Sequence, residues 1–431
     1  MPVLRPMRAL RYGQDHLHHL DQLVSPAVAG EPEDRTIVGG VHAYNIRQAI
    51  RGDTGPLASG GEPPFTHAAR LLAQWKQEGV LVRDPRPALY VYEQELDGRA
   101  RRGLVGLIRV EDYEDGSIRP HEETHGRSTP ALTNQLITCQ TQLSMVMALV
   151  PDEDEVLADY LSGFQRRDVE FWTPDGQACL NRVWRDQDPE SQLRLASALR
   201  DQVAVIADGH HRYEAALAYR DQVNTTDPSR RERPSDYVMM LLVPADDPGL
   251  HCAPTHRICE SIRAPDESLL KELSRCFEMG HSTEPDELFR FLDDPGGIRF
   301  GLVGAFGLRT LLLRESAKND LASLAPALRD VDAAVADELL LAPLDELLVG
   351  GTNSVADLSA SGSPFSHNRS CRQDIVQQTL SGAADLAVLL RGVPPLQVLR
   401  VALAGHLMPS KSTNFHPKPT KGLLMNSLRS F

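Results

Sequence analysis

Lysine is scarce in this chain of 431 residues, with 6 Lys against 39 Arg, a skew that reads as the mark of a genome rich in G and C. Three of those six, Lys411, Lys418 and Lys421, nevertheless fall together in the C-terminal tail. Positive charge is short as well: 45 basic residues face 59 acidic ones, a formal net charge of −14. That excludes an electrostatic nucleic-acid binder as the default. Long apolar runs are missing too. The longest, residues 238–243, is far below the ~20 residues that span a bilayer, and residues 1–12 carry Arg5, Arg8 and Arg11 without an apolar signal core. A soluble, cytoplasmic protein with no membrane partner is the expectation. The six cysteines form no Cys-x-x-Cys pair, so reduced and mostly buried thiols are expected rather than a zinc knuckle. The Gly-x-x-x-x-Gly-Lys-Ser/Thr loop, a Gly-x-Gly-x-x-Gly turn and a Gly-x-Ser-x-Gly elbow are all lacking, which sets aside the common nucleotide and hydrolase folds.

What is present is globular. With 41% hydrophobic and 24% charged residues the chain can bury a large core, and its length allows two or three domains. Residues 30–64 are punctuated by Gly and Pro and read as surface. Residues 65–80 have helical spacing that buries Leu71, Leu72 and Trp75. Residues 88–96 and 103–113 read as two strands of a hairpin, 203–207 as a buried strand ending in Asp208-Gly209, and 210–220 as the helix that follows. Strand 236–245, a helix from about 266, a hairpin over 298–314, helices over 331–348 and 372–390, a loop or lid over 350–370 and a last helix over 394–407 complete the expectation. The fold class is α/β or α+β, a mixed sheet carrying the Asp208 turn with a helical C-terminal part.

The strongest local signal is Asp208-Gly209-His210-His211-Arg212. A strand that ends in Asp-Gly and opens into a helix presents unsatisfied amide donors and the positive dipole end, which favour an anion such as phosphate. His210, His211 and Arg212 add donors, and Asp208 suits holding Mg²⁺ or orienting a hydroxyl. The competing reading is a plain N-cap with the histidines in a packed turn.

The second signal, His121-Glu122-Glu123-Thr124-His125, matches the H-E-x-x-H zinc pattern literally. Pro120 before it and Gly126 after it argue against the helix that pattern needs. Zinc, a solvated turn and a catalytic Glu122 outside any metal site all stay open. The third signal is the tail, where Lys411, Ser412, Thr413 and His416 could hold a phosphate or carboxylate or could simply fray into solvent. Thr255, His256 and Arg257 form a further polar turn after a strand.

Taken together the motifs carry a resemblance. Asp208 to Arg212 resembles the phosphate-binding turn of the superfamily that joins ParB-type partition proteins, sulfiredoxins and free-serine kinases. The reactive Cys of sulfiredoxins is replaced by His210 and His211. Pro120-His121-Glu122, Asp208 to Arg212, and Ser410-Lys411-Ser412-Thr413 with His416 occur in the order of three blocks of the archaeal ADP-dependent kinases of free serine. Over nearly the whole length the chain is similar to the family known as domain of unknown function 1015, through Tyr90 to Glu93, His121, Glu122, Thr124, Asp208 to Arg212, Thr255 to Arg257 and the tail.

The resemblance implies a ParB/sulfiredoxin-like core over residues 116–260, between an N-terminal α+β region (1–115) and a C-terminal α+β region with a substrate-binding tail (261–431). It implies a kinase of free L-serine or a similar small hydroxyl compound, using ATP or ADP with Mg²⁺. Glu122 would be the base, Asp208 its helper or the metal's ligand, and Gly209 to Arg212 the nucleotide's phosphate site. Lys411, Ser412, Thr413 and His416 would hold the acceptor, with His121, Thr124, Thr255, His256 and Arg257 bordering the pocket. The chain reads Ser25-Pro26-Ala27-Val28 and Ala131-Leu132 where the family has Pro-Pro-Tyr-Asp and Asp-Arg. These departures leave a second expectation, a nucleotide-binding sensor or scaffold without catalysis. A zinc hydrolase using His121 and His125 is the third.

Overall fold

The computed structural model of the protein describes residues 3–25, 42–50, 65–124, 126, 128–164, 167–173, 178–226, 232–260, 267–344 and 365–431. Most of the Gly/Pro-rich region expected at 30–64, most of the 350–370 loop, and His125 lie outside them. The chain is a mixed α/β protein and divides into two compact units. Unit 1 comprises Met1–Leu250 with Pro417–Phe431, and unit 2 comprises His251–His416. This differs from the three consecutive segments expected, because strands from both sides of residue 115 share one sheet.

That sheet, in unit 1, has nine strands: Leu4–Arg5 (β1), Leu89–Leu96 (β2), Arg99–Arg109 (β3), Ile118–Pro120 (β4), Val146–Val150 (β5), Val169–Thr173 (β6), Cys179–Asp186 (β7), Ala204–Asp208 (β8) and Tyr237–Pro244 (β9). The order is β4-β8-β5-β9-β3-β2-β7-β6, with β1 also on β3. Pairs β4–β8 and β5–β9 are parallel, and the other pairs are antiparallel. β2 and β3 form a hairpin as expected, but the second strand starts at Arg99 and ends at Arg109 rather than running over 103–113, so the connection shrinks to two residues. Asp97 and Gly98 take φ of 51° and 73°, as a two-residue turn whose twist matches its strands requires.

One face of this sheet is apolar. Val91, Leu104, Ile108, Ala148, Ile206 and Met240 pack there with Tyr213 and Ala216 from the helix His210–Thr226. Each fully buried aliphatic side chain contributes about 1.5–3 kcal/mol, so the end of β8 and the start of that helix are anchored by the same core. The opposite face is also largely apolar, with Val105, Leu107, Met147, Leu149, Met239 and Leu241 buried on it, but it carries a small buried polar group. Tyr92 Oη donates to Asn181 at 2.6 Å, Thr420 Oγ1 donates to Asn181 at 3.1 Å, and Gln94 Nε2 donates to the Lys418 carbonyl at 3.1 Å. The C-terminal segment is thus ordered against the sheet by hydrogen bonds, and its last strand, Asn426–Ser427, pairs with Thr141–Gln142. The frayed-tail alternative does not hold for residues 417–431.

Of the other expected elements, the helix Thr66–Gln77 buries Leu72 and Trp75 as read, with Leu71 half-buried. Unit 2 has a six-stranded antiparallel sheet ordered Phe277–Ser282, Gly307–Leu313, Arg299–Gly304, Leu386–Leu389, His256–Cys259, Ser366–Asn368. It corrects one expectation. The helix read over 372–390 is Arg372–Leu380 followed by a turn at Gly382 (φ 80°) and a central strand, Leu386–Leu389. A short apolar run fits helix and buried strand equally well, and Gly382 together with two strand neighbours decides it. The helix read over 331–348 is α-helical at Asp332–Ala336, passes through a π-helical turn at Asp337–Leu341 and is α-helical again over 342–344, the last of its described residues.

None of the six cysteines is in a disulfide, and four are buried, as expected. Among the described residues no helix is long and apolar enough to cross a membrane.

Candidate functional site

The Asp208 turn is built by three local devices. A register shift between Ile206 and Asp208 bulges β8 against β5 and re-aims its last residue. Gly209 then takes φ 89°, and its carbonyl accepts from the amides of Arg212 and Tyr213 at 2.9 and 3.0 Å, starting the helix. A Cβ at Gly209 would stand 2.7 Å from Arg212 Nε and 2.9 Å from its Cζ. Only glycine lets the guanidinium fold back over the turn. The amides of His210 and His211, at the first two helical positions, have no intrahelical acceptor.

His121 and Glu122 reach this turn because β4 lies parallel beside β8, with Pro120 opposite Ile206. Residues 121–124 are not helical, and the next helix starts at Thr129. The helical H-E-x-x-H zinc site is therefore corrected: Pro120 ends a strand, and residues 121–124 form no helix. His121 is buried, and its Nδ1 is 2.5 Å from the Ile206 carbonyl. A carbonyl can only accept, so Nδ1 carries the proton. Its ring meets that of His210 edge-on at 4.7 Å, and Glu122 Oε1 lies 3.6 Å from His210 Nδ1. Burial pushes both histidines below their ordinary range. For His121, Glu122 and the Ile206 contact partly oppose the fall, whereas His121 itself adds to that of His210. Both rings are neutral near pH 7.

Asp208 is the charge centre. Burial alone would raise its carboxyl, but Lys418 and then Arg212 outweigh it and hold the group well below the usual carboxylate range. Oδ1 takes Lys418 and Oδ2 takes Arg212, whose Nη1 also donates to the Met145 carbonyl at 2.5 Å. With both oxygens answering side-chain cations, the expected Mg²⁺-holding role of Asp208 finds no support in this arrangement. Arg101 lies nearby and is 1% exposed; its guanidinium meets Gln94 Oε1 and Met147 Sδ and, among the described residues, forms no salt bridge. A buried cation of this kind is costly without an anion.

Outside this centre, Thr124 and Thr129 donate to Glu214, the second at 2.7 Å, and His211 Nδ1 lies 3.4 Å from Glu214 Oε2. Thr124 thus supports His211 through Glu214.

Unit 2 holds the remaining expected residues. The backbone amide of Ala253 donates to the Asn414 carbonyl at 2.8 Å, and His251 pairs across from His416. Thr255, His256 and Arg257 are buried on one side, and Ser412 and Thr413 on the other. Thr255 Oγ1, His256 Nε2, Ser412 Oγ and Asn414 Oδ1 are buried without a hydrogen-bond partner. Arg257 donates to the Thr255 carbonyl at 2.9 Å and reaches Asp337 at 4.0 Å. Desolvation, then the charges of Arg257, Lys411 and Arg369, push the nearby His367 down to about 4. Such an excess of cations and orphaned hydroxyls suits a small anion. Lys411 itself is exposed, at φ 52°.

Sequence reasoning missed Lys418, Arg101 and Glu214. The lysine cluster in the tail was a usable signal, but it pointed equally to Lys411. Glu214 was legible as the i+3 neighbour of His211 on a helix. Arg101 was missed because residues 97–102 read as the polar connection of the hairpin, whereas Arg101 lies in its second strand.

The sequence profile of a family described as "Protein of unknown function (DUF1015)" matches residues 4–334. No curated protein matches the chain. Among solved structures, a conserved hypothetical protein from Pyrococcus furiosus is 11% identical, with 71% of this chain and 90% of that one covered at a TM-score of 0.32. A free serine kinase in complex with AMP is 11% identical, covering 72% and 89% at 0.34. SbnI with a C-terminal truncation, from Staphylococcus aureus, is 9% identical, covering 73% and 83% at 0.35.

Proposed function

The chain belongs to the DUF1015 family, and from that premise, with the geometry of unit 1, we propose that it is a nucleotide-dependent kinase of free L-serine or a similar small hydroxyl compound. One observation carries the reading. Glu122 and the Asp208–Arg212 turn, far apart in sequence, meet within unit 1, with Glu122 Oε1 3.6 Å from His210 Nδ1.

In this reading the amides of His210 and His211 and the positive end of their helix receive the phosphates of ATP or ADP. Arg212 and Lys418, fixed on Asp208, supply positive charge beside them. Glu122, partly exposed, takes the proton of the acceptor hydroxyl as that oxygen forms its bond to phosphorus. The donor's bridging P–O bond breaks, and its electron pair leaves with the shortened nucleotide. A divalent cation, when bound, neutralises charge on the phosphates. Asp208 acts as a positioning residue, since its two cations depend on it. Within unit 2, the cluster of Arg257, Ser412 and Thr413 suits a small carboxylate or phosphate.

The test is incubation of the purified protein with ATP or ADP, Mg²⁺ and L-serine, followed by detection of phosphoserine. Turnover is expected, and Glu122→Gln should lower it by about 10²–10⁴ while calorimetric nucleotide affinity stays. Absence of product across a panel of hydroxyl amino acids and both nucleotides would overturn the kinase reading. Nucleotide binding in that case would favour the sensor.

A further inference from the structure

We propose that His121, Glu122 and His210 form a binding site for one divalent first-row transition-metal ion. These three residues each offer a ligand atom, and the atoms lie within 4.8 Å of one another. They come from two separate stretches of chain, brought together by the parallel β4–β8 pair. The inference goes beyond the kinase reading and stands without it.

Four features point to a metal rather than to a packed polar cluster. His121 donates its Nδ1 proton to the Ile206 carbonyl, which makes Nε2 the lone-pair atom of the ring. A backbone carbonyl on the far nitrogen is the usual outer support of a metal-binding histidine. His210 is 5% exposed, and among the described residues its buried Nε2 has no hydrogen-bond partner, a state that is costly unless something else meets it. Glu122 contributes the negative charge that a dication needs, and it is accessible enough to admit one. Finally, the nearby charges of Asp208, Lys418 and Arg212 are mutually engaged, and among the described residues Glu122 is the carboxylate grouped with the two histidines.

The donor set decides which ion. Two imidazole nitrogens and one carboxylate suit Mn²⁺, Fe²⁺, Co²⁺ or Zn²⁺, whereas Mg²⁺ prefers oxygen and retains its waters. Metal–ligand bonds of about 2.0–2.2 Å require the three atoms to draw together only modestly. Three protein ligands also leave at least one position open, the pattern of a working rather than a structural ion. The site differs from the helical H-E-x-x-H arrangement: the second histidine is His210, not His125.

The experiment uses the full chain, stripped with a chelator and titrated with Co²⁺ in the absence of nucleotide and serine, following visible absorption. One equivalent should bind, Zn²⁺ should displace it, and a large excess of Mg²⁺ should not. His210→Ala and Glu122→Gln should each weaken Co²⁺ binding at least tenfold, and His211→Ala, on the same helix, should leave it within twofold. Glu122→Gln is close to isosteric, so it keeps the test decisive if a histidine variant fails to fold, as circular dichroism would show. Absence of stoichiometric Co²⁺ binding, or binding unchanged in Glu122→Gln and in folded His210→Ala, overturns the site. Phosphoserine formation is assayed separately, with Mg²⁺ and no transition metal, where Glu122 is not held as a ligand, so the two readings fail independently.

Discussion

Lys418 closes an ion pair on Asp208 across 210 positions of sequence, and the same carboxylate takes Arg212 four residues on along its own helix start. One half-buried acid therefore ties the C-terminal segment to the turn proposed to hold phosphate.

Replacing Lys418 by Met should leave Asp208 with one cation and destabilise unit 1 by about 1.5–3 kcal/mol in urea unfolding, the scale of a hydrogen bond to a charged group. Asp208→Asn in the same chain should recover part of that loss. The sign of the pH effect follows from the depressed carboxyl. Its contribution is complete above the unfolded value of about 3.9 and is lost as pH falls further. Asp208→Asn should flatten that acid limb of the stability curve.

Gly209→Ala should be destabilising by about 1–3 kcal/mol, because the position has φ 89° and the new methyl would meet the Arg212 guanidinium. Displacing Arg212 also strips Asp208 of a cation, so nucleotide affinity measured by calorimetry should fall alongside the melting temperature. A variant that melts normally and binds normally would contradict the account of the turn.

His256 gives a pH prediction for unit 2. It is fully buried, its Nδ1 accepts from the Leu390 amide at 3.1 Å, and burial first, then Arg372 and Arg257, push it down to about 3. The folded state resists protonation, so this contribution to stability is complete above the unfolded value of about 6.5 and drains away as pH falls from there towards 3. The full effect is on the order of 4 kcal/mol. In an NMR titration His256 should stay neutral at pH 5, and His256→Gln should reduce the slope of stability between pH 6.5 and 4.

Phosphate should raise the melting temperature of the wild-type chain by filling the cation-rich cluster around Arg257, and Arg257→Gln should abolish the part of that shift arising in unit 2. At a hundredfold excess over Kd the stabilisation is about 2.7 kcal/mol, readable by differential scanning calorimetry. An equal shift in Arg257→Gln would place the bound anion elsewhere.

The amino-acid sequence by itself determined the parts of this protein set by local rules. The β2–β3 hairpin follows from strand-forming residues around Asp97-Gly98, and the Asp208 turn from a short apolar strand running into glycine and a helix. Glu122, Asp208 and the histidines were legible as candidates because charged and ring side chains crowded into turns are expensive without a purpose. Tertiary structure alone decided the partners. The parallel pairing of β4 with β8 places His121 and Glu122 on the turn, and Tyr92, Gln94 and Asn181, polar groups on an otherwise apolar sheet face, hold the terminal segment so that Lys418, rather than Lys411, neutralises Asp208. It also made Leu386–Leu389 a strand. Periodicity reports which residues seek burial, but strand order and register, fixed by the summed burial of distant segments, choose what each buried charge will meet.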